Sequence, residues 1–389
     1  MKILLVSLFL PQKRASHAGG RYVFELLDSL AKRHEVHLAT RLEEGELPLL
    51  DELRPLCKEI HPFTYRTSAK RGVLDKLALV GNYLAFSRHA DRLIRDGDYD
   101  IVQVEWVETA LLIRKGKTPM VLDAHDVITK PAERGMLQSR GLGRVPAALK
   151  YALVKAVERR IMLRFDTIFT VSQYDREYLL KMEPGLQVKA VPIPAGLDIT
   201  DREYPERKNS ILFLASYKYR RVNVDAALHF YHKVFPLVRA SVPDARFVIA
   251  GYGPPEELTS LSDRDPQVEV TGFVDDIDRC YKEAAVFVAP ILTGGGIIVK
   301  VLDALAAGRP VVSTSFGNEG VGAVPDRDLI VADDPARFAE AVVRLLLDPE
   351  RARELGRSGR AFVREHYSQD AVVKKVEATF RDLCGNALS

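Results

Sequence analysis

Two trains of short β-rich runs, each run followed by a longer stretch with helical spacing, constrain this chain more than any other feature. In the first train the runs are Ile3–Leu8, Val36–Ala39, Ile101–Val104, Met120–Asp123, Thr167–Val171 and Val188–Val191. After Gly19-Gly20 the apolar residues Tyr22, Val23, Leu26, Leu27, Leu30 and Ala31 recur at helical intervals, the pattern of a helix with one buried face. Strand and helix alternating at this rhythm predict a parallel sheet covered by helices on both faces.

The rhythm breaks once. Pro192-Ile193-Pro194 and the charged run Asp201–Asn209 read as a linker, because prolines and clustered charges punctuate regular structure. A second series then begins, with runs at Ile211–Ala215, Phe247–Ala250, Val268–Thr271, Val286–Ala289, Val311–Thr314 and Leu329–Val331, and its last third is mainly helical. The expected architecture is α/β: two Rossmann-like, doubly wound parallel-sheet domains facing a central cleft. They are residues 1–200 and 210–368, joined by the linker 201–209, with 369–389 a helix able to cross back to the first domain. Clefts of this kind are where ligands bind.

Bulk composition fits that reading. A chain of 389 residues suits two domains, each large enough to bury its own core without a disulfide or a metal. Cys57, Cys280 and Cys384 are far apart and form no CxxC pair, so neither a disulfide framework nor a zinc site is expected and a reducing cytoplasm fits best. No apolar run reaches the ~18–20 residues of a membrane span. Met1–Leu10 has the apolarity of a weak signal peptide, but Pro11-Gln12-Lys13-Arg14 follows in place of a small-residue cleavage site, so a buried first strand is expected. Residues 1–200 hold 31 Lys and Arg against 25 Asp and Glu, a net of +6, and the remainder holds 25 against 28, a net of −3. The basic character therefore lies in the first domain.

The strongest chemical signal runs from Val286 to Val312. A strand leads into Thr293-Gly294-Gly295-Gly296-Ile297-Ile298, a helix follows with Lys300 and Asp303 on one face, and Gly308 and Pro310 introduce the next strand. Glycines let backbone N–H groups approach an anion, and the helix N-terminus adds partial positive charge. Lys300 lies one turn in and can reach a phosphate, while Asp303 can accept hydrogen bonds from ribose hydroxyls. Taken alone, the triple glycine also suits a tight turn.

This stretch resembles the retaining glycosyltransferases of family 4, which have the GT-B fold. So do Val248-Ile249-Ala250-Gly251-Tyr252-Gly253-Pro254, Val270-Thr271-Gly272-Phe273-Val274-Asp275-Asp276, Gly317-Asn318-Glu319-Gly320 and Val191–Asp198. Each piece is weak alone; their order and spacing are specific, and the likeness is densest from Ile211 to Tyr367. The resemblance implies that Gly19 and Gly20 lie where donor phosphate and acceptor meet, and that His125 lies beside the transferred sugar. It places Arg220 or Arg221 near the diphosphate, although two such arginines also suit a solvated pair. Gly272 and Phe273 would border the nucleobase, with Phe273 as simple core the other reading. Gly294, Gly295, Gly296, Ile297 and Ile298 would supply loop amides, and Lys300 and Asp303 would act on the donor. The family commonly has two glutamates eight positions apart near this loop. Asp303 occupies the second position and Gly295 the first, which leaves the identity of the sugar open.

The implied reaction moves a sugar from a nucleoside diphosphate, such as a UDP-sugar, to a hydroxyl, with retention. Neither a metal nor another cofactor is required, because protein cations stabilise the diphosphate leaving group. A non-catalytic sugar-nucleotide-binding protein and a GT-B-fold epimerase are the alternatives, the latter with Glu105, Glu108, Asp123 and Asp126 as its candidate carboxylates. The acceptor is expected to be lipid-linked, a saccharide or a small molecule. Residues 130–164 carry nine Lys and Arg interleaved with Val145, Ala147, Leu149, Leu153, Val154, Val157 and Ile161, a basic amphipathic stretch that suits docking on an anionic inner membrane surface. A helix packing its apolar face on its own sheet is the plainer reading. Nucleic-acid binding is not expected, since the stretch lacks exposed aromatics.

Overall fold

The computed structural model describes residues 1–13, 18–65, 73–194, 207–218, 220–293 and 298–386. The chain divides into two compact units, Met1–Ile193 together with Val372–Ser389, and Pro194–Ala371.

The first unit is built on seven strands: β1 (Lys2–Ser7), β2 (Glu35–Glu43), β3 (Glu59–Tyr65), β4 (Ile101–Glu105), β5 (Met120–Asp123), β6 (Thr167–Thr170) and β7 (Val188–Ala190). All pairings are parallel, in the order β3-β2-β1-β4-β5-β6-β7. Residues alternate faces along a strand, and β1 shows the consequence. Ile3 and Leu5 enter one core with Val23, Leu26, Leu27 and Leu30 of the helix Ala18–Ala31. Leu4 and Val6 enter another with Phe86, Ala90 and Ile94 of the helix Val73–Asp96.

The C-terminal helix Gln369–Asn386 completes the first of these cores with Val372, Val373, Val376 and Phe380, all fully buried. Each such side chain contributes about 1.5–3 kcal/mol by leaving water. Its Glu377 also receives Arg33 Nη1 at 3.1 Å and His34 Nε2 at 3.0 Å.

The second unit has six parallel strands: β8 (Arg207–Leu214), β9 (Arg246–Ala250), β10 (Val268–Gly272), β11 (Ala284–Ala289), β12 (Val311–Ser313) and β13 (Ile330–Val331). Their order is β10-β9-β8-β11-β12-β13. In both sheets the chain winds outward from the first strand, then returns beside it: β4 next to β1, and β11 next to β8. Such reversals open a crevice at the carboxyl ends of the strands. Gly251, just past β9, has φ +128°, and a Cβ there would meet Ala215 O at 1.8 Å, so only glycine lets the ends of β8 and β9 approach this closely.

One strand departs from the sequence rhythm. β3 reads Glu-Ile-His-Pro-Phe-Thr-Tyr; it is polar and contains Pro62, which cannot donate to a ladder. Proline is tolerated there because β3 is an edge strand.

Candidate active site

In the first unit the reversal point is occupied by side chains from the ends of β4 and β5. Glu105 closes β4 and Asp123 closes β5, directly opposite one another in the register. His125 follows two residues on. Its Nε2 is hydrogen-bonded to Glu105 Oε2 at 2.7 Å, and Gln103 Nε2 donates to the other oxygen of Glu105 at 2.6 Å. Tyr22, from the helix that begins at Ala18, donates its hydroxyl to Asp123 Oδ2 at 3.0 Å, and the His125 amide donates to Asp123 Oδ1 at 3.3 Å. The His125 ring stacks on Trp106, with centroids 4.2 Å apart and planes 8° from parallel. Among the described residues, no hydrogen-bonding partner meets His125 Nδ1.

The backbone is strained at both members of that stack. Trp106 has φ 65° and His125 φ 51°, left-handed conformations that side chains rarely adopt without a compensating environment. Here the strain turns each ring back over the strand ends.

Burial governs the electrostatics. Desolvation, followed by the charge of Asp123, raises the Glu105 carboxyl well above its ordinary range, against the opposing pull of His125. Burial works to lower His125, but Asp123 and the hydrogen bond to Glu105 outweigh it and leave the imidazole above its usual value. Burial and Asp123 also raise Tyr22 well above its normal pKa, so its hydroxyl stays a donor. Glu105 and His125 therefore hold a proton between them. Glu105, Asp123 and His125 are also close enough to enclose a cation, with donor atoms within 4.8 Å of one another, but Gln103, Tyr22 and the His125 amide already occupy the carboxylate oxygens.

The second unit's reversal point is of opposite character. Lys300, on the helix Val299–Ala306, donates Nζ to Asn223 Oδ1 at 2.7 Å and lies over the Phe213 ring at 5.5 Å. Asn223 is fixed by donating to Ser216 O at 2.7 Å. Burial, and then the neighbouring guanidinium of Arg220, push the Lys300 ammonium down to about 8. A part-buried cation that meets a neutral amide and a second cation is costly, and an arriving anion relieves that cost.

Each half of the chain also matches a family model: residues 19–201 match Glycosyltransferase Family 4 and residues 208–348 match Glycosyl transferases group 1. The chain is a glycosyltransferase of the group 1, family 4-like type. It is similar to the MMP alpha-(1->4)-mannosyltransferase of Mycolicibacterium hassiacum, at 26% identity over 98% of both chains. Among solved structures it is similar to sucrose-phosphate synthase from Thermosynechococcus elongatus, with a TM-score of 0.71 at 17% identity, covering 99% of this chain and 100% of that one. It is also similar to Anabaena Alr3699/HepE in complex with UDP, with a TM-score of 0.65 at 13% identity, covering 98% and 100%. The fold is GT-B.

In this glycosyltransferase the sequence-derived candidates fall as follows. Gly19 and Gly20 lie in the first turn of the helix Ala18–Ala31, which also carries Tyr22 to Asp123. Lys300 and Arg220 come together, whereas Arg221 turns away: its guanidinium pairs with Asp225 at 2.8 Å and with Glu257. Asp303 is half-buried on the Lys300 helix, and Ile298 caps that helix. Phe273 is 69% exposed and meets Tyr252 edge-on at 6.3 Å, which removes the reading of Phe273 as core; Gly272 before it has φ +68°. Gly294, Gly295, Gly296 and Ile297 lie outside the described residues. Tyr22, Trp106 and Asn223 were not among the sequence candidates. Trp106 carried a signal, as the chain's single tryptophan placed one residue past a strand end.

Proposed function

We propose that this glycosyltransferase moves a sugar from a nucleoside-diphosphate donor to a hydroxyl acceptor, with retention, in the synthesis of a cell-envelope polysaccharide or glycoconjugate. The observation that carries the donor assignment is the approach of two cations, Lys300 and Arg220, at the second unit's reversal point, with no carboxylate shown against Lys300 among the described residues. A diphosphate supplies the missing negative charge, and the same cations stabilise the charge that develops as it leaves. They would do so in place of a metal. Exposed Phe273 beside Tyr252 offers an aromatic face to a nucleobase. The UDP held by the similar Anabaena protein supports a nucleoside-diphosphate ligand for this chain, and UDP-sugars head the donors to be tried. In the first unit His125, steered by Glu105 on Nε2, keeps Nδ1 for a sugar hydroxyl. Incubation with a panel of UDP- and GDP-sugars, followed by mass spectrometry of products, tests this reading: sugar transfer supports it, whereas binding without turnover or epimerised donor overturns it.

The acceptor is, in this proposal, presented at an anionic membrane surface. No helix among the described residues is long and apolar enough to cross a membrane. The helix Arg144–Met162 nevertheless exposes Val145 (74%), Leu149 (71%) and Leu153 (64%), four residues apart and so on one face. Its apolar stripe thus faces outward, not onto the sheet. Exposed Arg144, Lys150 and Arg160 flank it. Not every basic residue of 130–164 is free for lipid: Lys130 pairs with Asp175, Arg159 pairs with Glu183, and Arg164 donates to the carbonyls of Leu111 at 3.1 Å and Ile113 at 2.9 Å. Co-sedimentation with phosphatidylglycerol vesicles should therefore depend on both charge and apolar area. Binding that weakens with salt and drops in the Leu149→Ser, Leu153→Ser double variant is expected. Absence of binding at low salt would remove the membrane from the proposal and leave the donor assignment standing.

A further inference from the structure

The edge of the first sheet gathers a cluster with no part in the chemistry above. In the parallel pairing of β2 with β3, His37 stands opposite Glu59 and Ala39 opposite His61. Side chains two apart on a strand share a face, so Glu35 and His37 of β2 meet Glu59 and His61 of β3. His37 Nε2 is 3.1 Å from Glu35 Oε1, and its Nδ1 is 3.6 Å from Glu59 Oε2. His61 turns Nδ1 to the other oxygen of the same carboxylate, at 3.7 Å. The two imidazoles lie 6.2 Å apart and within 16° of parallel, and Tyr99 closes over His37 edge-on at 5.4 Å.

This arrangement is poorly satisfied by its own atoms. His37 is 6% exposed, and its Nδ1 and the Nε2 of His61 are buried without a hydrogen-bonding partner. If the Nε2–H of a neutral His37 goes to Glu35, the Nδ1 lone pair faces the carboxylate of Glu59, acceptor against acceptor. Buried polar atoms left in that state are costly, and a cation placed between His37 Nδ1 and Glu59 removes their conflict.

We propose that His37, Glu59 and His61 bind a divalent transition-metal ion of the zinc class, which ties the edge strand β3 to β2. The three donor atoms lie within 4.8 Å of one another. Tetrahedral zinc, with bonds of about 2.0–2.2 Å, sets its ligands roughly 3.3 Å apart. The 3.6 and 3.7 Å separations, each to a different oxygen of Glu59, are within a few tenths of an ångström of that, and the imidazole nitrogens must draw together from within 4.8 Å. Two imidazoles and a carboxylate are a donor set that suits zinc and its neighbours. Glu35 plays the outer carboxylate that fixes the tautomer of a ligating histidine, and exposed Glu59 leaves one coordination position open to water. A staple here also serves the fold, because β3 is an edge strand interrupted by Pro62, where pairing is weakest.

The competing occupant is a proton, with His37 as an imidazolium between two carboxylates. Full-length protein stripped with a chelator and titrated with Zn²⁺ by calorimetry tells the two apart. One ion bound per chain with a rise in melting temperature is expected. His37→Ala and His61→Ala should abolish both effects, and Glu35→Gln should weaken affinity about 10–100-fold. His61→Gln and Glu59→Gln, at the less buried positions, keep the test valid if His37→Ala fails to fold. Co²⁺ in place of Zn²⁺ should give visible d–d bands without a thiolate charge-transfer band, which separates this site from Cys57 nearby. No saturable binding at micromolar Zn²⁺, binding unchanged in His61→Gln and Glu59→Gln, or a thiolate band would overturn the proposal.

Discussion

The two reversal points occupy equivalent places in two parallel sheets, yet they are finished in opposite ways. In the first unit each carboxylate oxygen of Glu105 and Asp123 has a partner, and two strained rings are stacked in place. In the second, among the described residues, Lys300 meets a neutral amide and a ring while Arg220 repels it. A closed network fixes geometry before anything binds, which suits contact with the reacting sugar. An uncompensated cation pair stores affinity for a particular charge. Equal folds therefore do not imply equal tasks: the first site is organised for position and the second for attraction.

The largest expected effect tests the positional half. His125→Ala should cut turnover by about 100–1,000-fold, the range seen when one preorganised contact to the reacting group is lost, while nucleotide affinity by calorimetry stays near that of the parent. Equal losses of turnover and affinity would erase the distinction between the sites. A thermal melt must accompany the assay, because His125 is buried.

Next is the attractive half. Lys300→Ala should weaken nucleoside-diphosphate binding by about 1.5–3 kcal/mol, the value of a charge-assisted hydrogen bond. With Lys300 at about 8, parent affinity should fall as pH rises above 8, by up to about tenfold per unit, and the variant should lack that slope. An identical pH profile in both proteins would transfer the attraction to other groups.

The smallest effect sharpens the comparison through stability. Glu105 and His125 both have raised folded-state pKa values, so the native state holds protons more tightly than the unfolded chain. Their contribution is present below the ordinary carboxylate and imidazole values and is lost as pH rises through the raised ones. The melting temperature should decline from about pH 5 toward pH 8, and Glu105→Gln should flatten that decline. A profile unchanged in the variant would mean that the pair does not share its proton.

Much of this was legible in the sequence, and the exceptions have physical reasons. Buried parallel strands such as β1 and β11 are nearly continuous apolar runs, and Lys300 and His125 are marked by their place after strand-like runs. β3 escaped because an edge strand needs only one apolar flank and tolerates Pro62. Asn223 escaped because its role comes from a contact across 77 positions of sequence, which no local pattern encodes. Tyr22 reads as an ordinary apolar helix residue until the fold carries its hydroxyl to Asp123, and Trp106 shows its role only in the stack on His125. The helix Arg144–Met162 was recognised as amphipathic, but spacing alone does not say which face a helix shows to its neighbours.

The placement of the helix Gln369–Asn386 has a consequence for biosynthesis. The strands of the first unit are complete by Ile193, yet four side chains of its core, Val372, Val373, Val376 and Phe380, are made only after the whole second unit. At ~5–20 residues per second, the ribosome takes on the order of 10–35 s to travel from one to the other. Throughout that interval Val23, Leu26 and Leu30 lack part of their cover, so the nascent first unit presents an apolar strip that chaperones or a neighbouring chain can reach. A transcript truncated before residue 372 would yield a polypeptide with all of its strands and a permanently open seam.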